Sequence, residues 1–75
     1  MTKQDIKKVL KDYEYTMITK SWYNGTKGCY LFNAYDCNGQ CYRFWIDEPY
    51  GYATKQVLSD VCILDEQNIS RWFWG

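Results

Sequence analysis

Four cysteines (Cys29, Cys37, Cys41, Cys62) and the adjoining carboxylates Asp47 and Glu48 are the side chains of this 75-residue sequence with most scope for chemistry. Thiols can bridge, ligate zinc or act as nucleophiles. The spacing supports none of these. There is no Cys-x-x-Cys pair and no histidine. The ligand spacing of a zinc site is therefore missing, and so are Ser-His and Cys-His nucleophile pairs. A thiolate activated by lysine needs an electropositive setting that no local pattern supplies. Asp47 and Glu48 fall on alternate sides of a strand end, which suits neither a shared-proton dyad nor a glycosidase pair. The glycines sit at turns and form no phosphate-binding loop, and a chain this short is small for enclosing a pocket of several hundred Å³. The expectation is a protein that is not an enzyme, with no catalytic residue, metal or cofactor.

Residues 28–47 position most of these groups. They read as two strands joined by Asn38-Gly39, because both central residues of a type I′ turn need positive φ. A two-residue loop there pairs Cys37 with Gln40, Asp36 with Cys41, Tyr35 with Tyr42, Ala34 with Arg43, Asn33 with Phe44, Phe32 with Trp45 and Leu31 with Ile46. Alternation then defines two faces. One carries Leu31, Asn33, Tyr35, Tyr42, Phe44 and Ile46, and is the better core because its far half lacks charge. The other carries Tyr30, Phe32, Ala34, Asp36, Arg43, Trp45 and Asp47. On this reading Cys37 and Cys41 lie on opposite faces, and Cys29 and Cys37 are roughly 26 Å apart along the strand. Both arrangements oppose a disulfide. Reduced thiols acting as small hydrophobes are expected.

Before the hairpin, Thr2 and Asp5 form an approximate capping box for a helix over residues 2–12. Ile6, Val9, Leu10 and Tyr13 give that helix one apolar stripe. Lys3, Lys7 and Lys11 recur every fourth residue with Lys8 beside them, a basic row that reads as an anion-facing stripe or a solvated helix face. Residues 13–23, rich in aromatic and β-branched side chains, predict the first strand. Its turn, Asn24 to Gly28, fits a two-residue or a five-residue loop, and a slip between them exchanges the buried face. After the break at Pro49 and Gly51, Ala53, Val57, Val61 and Leu64 follow a helical stripe over residues 53–63, with a strand at 61–64 as the rival. Ile69, Trp72 and Phe73 share helical spacing in the tail. The expected fold is α+β, one domain over residues 1–75: an N-terminal helix, a three-stranded antiparallel meander, and one or two short C-terminal helices on one sheet face.

Composition supplies the functional argument. Aromatic residues make up 20% of the chain, more than one buried sheet face requires. Tyr30, Phe32, Arg43, Trp45, Trp72 and Trp74 are the candidate contact residues, since Trp, Tyr and Arg carry most energy at interface centres. Net charge is zero, with six lysines against three acids in residues 1–27 and three basic residues against six acids in residues 28–75. Bulk electrostatics thus selects no polyanion. A protein partner is the leading expectation, ahead of a homodimer and of single-stranded nucleic acid stacked on Tyr30, Phe32 and Trp45. Asp36 and Asp47 on that face oppose nucleic acid. No apolar leader or membrane-length run occurs, which with reduced thiols fits a cytoplasmic protein. By size and architecture alone, the chain is similar to the small inhibitors carried by phages and mobile elements, anti-CRISPR proteins among them. That resemblance implies an inhibitor acting by protein contact.

Overall fold

The capping box forms as the sequence predicts. The Thr2 hydroxyl accepts from the Asp5 N–H at 3.2 Å, the Asp5 carboxylate accepts from the Thr2 N–H at 2.9 Å, and helix α1 runs Lys3–Asp12. Ile6 and Leu10 are fully buried beneath it. The computed structural model describes residues 1–58 and 65–75. Beyond α1 come β1 (Thr16–Asn24), β2 (Cys29–Tyr35), β3 (Cys41–Asp47), β4 (Tyr52–Val57), β5 (Glu66–Asn68) and α2 (Ser70–Trp74). The strands pair in chain order as an antiparallel sheet. The fold is therefore α+β as expected, but among the described residues its meander has five strands and not three, and it ends in a single short helix.

The central hairpin is displaced by one residue from the expected register. Tyr35 pairs with Cys41, Phe32 with Phe44 and Tyr30 with Ile46. Asp36 is the cause. Its carbonyl accepts from the Gly39 N–H at 3.0 Å, and its carboxylate accepts from the N–H groups of Asn38 and Gln40, both at 2.9 Å. Gly39 has φ +83° while Asn38 does not enter the left-handed region. This is a type I turn followed by a bulged glycine, with Asp at its first position, and the loop holds three residues in place of two. Because side chains alternate, that single residue regroups the faces. Tyr30, Phe32 and Ala34 join Tyr42, Phe44 and Ile46 on one side. Cys29, Leu31, Asn33 and Tyr35 join Cys41, Arg43, Trp45 and Asp47 on the other.

Burial holds the Asp36 carboxyl up, but the donors from Gln40 and Asn38 and the Tyr42 hydroxyl at 3.1 Å outweigh it and set the group below the usual carboxylate range. A carboxylate lowered in the folded state adds stability that is present above its unfolded pKa, about 3.9, and lost as pH falls through the folded value. Asp5, lowered by the Thr2 N–H and hydroxyl, acts in the same window. Urea midpoints should therefore drop as pH falls below about 4. Asp36→Asn should start lower at neutral pH and lose part of that drop. A variant with the parent's full acid dependence would refute the loop's role.

At the first edge, β1 resolves the ambiguous register in a way neither loop length predicts. Ile18 pairs with Asn33, yet Tyr23 pairs with Leu31, so a bulge separates them. Ser21 fills it. Its hydroxyl donates to the Ile18 carbonyl at 2.6 Å and accepts from the Asn33 N–H at 2.7 Å, bridging a rung the backbone leaves open.

Residues 53–57, expected as helix, form strand β4. Ala53, Lys55 and Val57 face the covered side opposite Ile46, Phe44 and Tyr42. The four-residue spacing of Ala53 and Val57 fits both periods, and a lysine on the core side hides the alternation. The rest of that expected helix and the rival strand at 61–64 lie largely within residues 59–64, outside the described residues. β5 continues into α2 through side-chain bonds: the Ser70 hydroxyl accepts from the Ala53 N–H at 3.0 Å, and the Asn68 amide oxygen accepts from the Ser70 N–H at 2.9 Å. The core lies between the sheet and the two helices, built from Ile6, Leu10, Met17, Tyr30, Phe32, Ala34, Phe44, Ile46, Ala53 and Ile69.

Candidate protein-binding surface

Both helices pack on one side of the sheet, and among the described residues no helix covers the other. One cross-strand row there runs Tyr23, Leu31, Trp45, Thr54 and Asn68 over all five strands. Directly opposed side chains in such a row lie about 4.5–5.5 Å apart at Cβ, so neighbours along it are within reach of one another. Leu31 and Trp45 keep 37% and 39% of their surface exposed and Tyr23 keeps 64%, while Thr54 is buried. Tyr52, on the neighbouring row, meets Trp45 edge-to-face with centroids 6.0 Å apart. The row on the other side begins at Ile18 and is polar from there on, through Asn33, Arg43, Gln56 and Glu66. Gln56 donates to Glu66 at 2.7 Å. Among the described residues no carboxylate lies within ion-pair distance of Arg43. Tyr35 extends the surface one row further and is 42% exposed.

The six residues expected to make contact are dispersed. Arg43 and Trp45 share the open face. Tyr30 and Phe32 do not join them, because the three-residue loop turns both into the core. Trp22 stacks on both, 5.3 Å and 5.6 Å between centroids, and the Tyr30 hydroxyl donates to the Met1 carbonyl at 3.0 Å. Trp72 sits on the covered side, stacked on Tyr13 at 4.1 Å and 4°. Trp74 is 40% exposed at the end of α2, beside Gly51. The open face instead recruits Tyr23, Leu31, Tyr35 and Tyr52. The Asp36-x-Asn38-Gly39 spacing carries the signal that would have placed Leu31 and Tyr35 there.

A second aromatic assembly lies on the covered side and is filled by the chain itself. Lys55 Nζ donates to the Tyr15 hydroxyl at 2.7 Å and stands 4.9, 5.0 and 5.7 Å from the ring centroids of Tyr42, Tyr15 and Trp72. Rings present their negative faces to a cation, at about 0.5–2 kcal/mol per contact. This explains why a lysine is tolerated on the core side of β4. Its ammonium replaces lost water with three rings and one hydroxyl, and it ties β4 to α2 and to the segment after α1.

Among the described residues no cluster of cysteines and carboxylates has the geometry to hold a metal ion, and no helix is long and apolar enough to cross a membrane. Comparison with known proteins finds no matching family model, curated protein or solved structure.

Proposed function

We propose that this chain is a small protein-binding module whose contact surface is the open sheet face centred on Trp45. The observation that carries this reading is the half-exposed row of Tyr23, Leu31 and Trp45, flanked by Tyr52 on one side and Arg43 on the other. Monomers seldom expose contiguous apolar patches beyond a few hundred Å² unless the patch binds something. Trp, Tyr and Arg are also the side chains that dominate interface centres, with polar groups at the rim. Asn33, Gln56 and Glu66 supply such a rim. The four lysines of α1 lie across the sheet from this face, which favours a protein over single-stranded nucleic acid, whose backbone wants cations beside the stacking rings. On this reading the chain acts by occluding a surface of its partner, the mode implied by its likeness to small phage-borne inhibitors.

The test uses the chain with a photoreactive benzoylphenylalanine at position 45, or at Asp12 as a control, in nuclease-treated extract of its cell of origin. A protein crosslinked from position 45 alone should lose at least roughly 30-fold in affinity for Trp45→Ala, the scale of a hot-spot deletion. Tyr30→Phe should bind as the parent does, because Tyr30 is buried. Unchanged affinity of a folded Trp45→Ala would defeat the reading, as would a solution mass showing that the face is occupied by a second copy.

A further inference from the structure

A separate surface lies at the outer edge of the sheet, where β1 runs beside α1. An open groove of about 630 Å³ occupies the space between them. Lys7, Lys8 and Lys11 form its helical wall, and Thr16, Met17 and Thr19 its strand wall. Lys3, which the sequence places in the same row, leaves it to lie over Trp22, 5.5 Å from the ring centroid.

The direction of the strand's peptide groups follows from Ser21. Because the Asn33 N–H is aimed at β1, where the Ser21 hydroxyl receives it, Ile18 is a position that faces β2. Peptide groups alternate along an antiparallel strand, so the N–H and C=O of Met17 point away from β2, toward the free edge beside the groove. β1 is the end strand of the sheet, and among the described residues nothing pairs with that edge. The bulge ends regular pairing after Ile18, so the pairable edge is short.

We propose that this groove receives an extended acidic segment of a partner protein, added to β1 as a short further strand. Strand addition takes its affinity from main-chain hydrogen bonds and its selectivity from alternate side chains. Met17 offers the first, and the three lysines offer the second to Glu or Asp at every other position. Among the described residues Lys7, Lys8 and Lys11 make no ion pair. The acids on the helix are Asp5, held by Thr2, and Asp12, with Glu14 just beyond its end. Self-pairing of two β1 edges is opposed by charge, because an isologous contact sets the same lysines against their symmetry copies. Single-stranded nucleic acid lacks the backbone donors that match Met17, and Tyr15, the ring in the groove, is engaged by Lys55.

The probe is an acetylated, amidated Glu-Val-Glu-Val-Glu peptide, titrated into the full chain while amide exchange is followed. The expected result is slowed exchange at Met17, affinity reduced at least 10-fold in Lys7→Glu/Lys11→Glu, and loss of binding when alternate peptide nitrogens are methylated. Lys7→Gln/Lys11→Gln, which keeps helix-compatible side chains, should weaken binding to a lesser degree. Trp45→Ala should bind this peptide as the parent does, so the outcome is independent of the open face. Equal binding of the N-methylated peptide, of a Lys-Val-Lys-Val-Lys control or of an oligothymidine would overturn strand addition of an acidic segment. So would unaltered exchange at Met17.

Discussion

Phe44→Ala is expected to leave the protein largely unfolded at 37 °C. The ring is 0% exposed and lies flat on Phe32, with centroids 5.2 Å apart and an interplanar angle of 3°. Tyr15 meets it edge-on at 5.5 Å, and Trp72 approaches to 6.3 Å. Truncating a buried Phe costs about 3–5 kcal/mol through lost transfer energy and the cavity left behind. Native domains have roughly 5–15 kcal/mol in total, and chains of this length sit at the low end because they bury proportionally less surface. Urea unfolding followed by tryptophan fluorescence checks the value. A loss below about 1 kcal/mol would mean that the ring stack is not the centre of the core.

Trp72→Ala should have the next largest effect, and it should act on stability before it acts on any contact with another molecule. The indole is half-buried and ties α2 to two other parts of the chain: Tyr13 and Tyr15 in the connection between α1 and β1, and Phe44 in β3. It also forms one wall around the Lys55 ammonium. Removing it frees α2 and opens that enclosure to water. About 2–4 kcal/mol is expected, less than for a fully buried Trp. The variant should show its loss both in urea midpoint and in faster amide exchange around α2. Because Trp72 and Phe44 touch, their effects should be non-additive. Trp45→Ala, with its side chain on the open face, should move the midpoint far less. If Trp72→Ala left the midpoint unchanged and Trp45→Ala lowered it, the assignment of the two faces would be reversed.

Several parts of this architecture were legible in the sequence because they rest on local chemistry. The capping box of Thr2 and Asp5 and the stripe of Ile6 and Leu10 define α1 without help from the rest of the chain. The existence of the hairpin follows from Asn38-Gly39 between two aromatic runs, and the helical spacing of the tail follows from Ile69, Trp72 and Phe73. What failed depended on side chains acting at a distance from their usual roles. Asp36 captures its own loop and converts a two-residue turn into a three-residue one. Ser21 replaces a backbone partner, so β1 changes register in mid-strand. Lys55 points into the rings on the covered side and disguises β4. Glu66-Gln67-Asn68 forms an exposed edge strand with no apolar residue to announce it. On the open face, residue type alone singles out Arg43 and Trp45 as candidates. Tyr30 and Phe32 were misplaced by the hairpin slip alone.

The Asp36 loop has a consequence for how this chain can vary by descent. Side-chain facing in a strand depends on parity, so residues gained or lost in the loop matter by whether their number is odd or even. Deleting the codon for Cys37 would set Tyr30 and Phe32 of β2 against the wrong side of β3, exchanging interior for exterior across half the sheet. An insertion of two would leave the parity intact and ask only for a longer tip. Substitution at exposed Cys37 is mild by comparison. In this hairpin, length is inherited under tighter constraint than spelling.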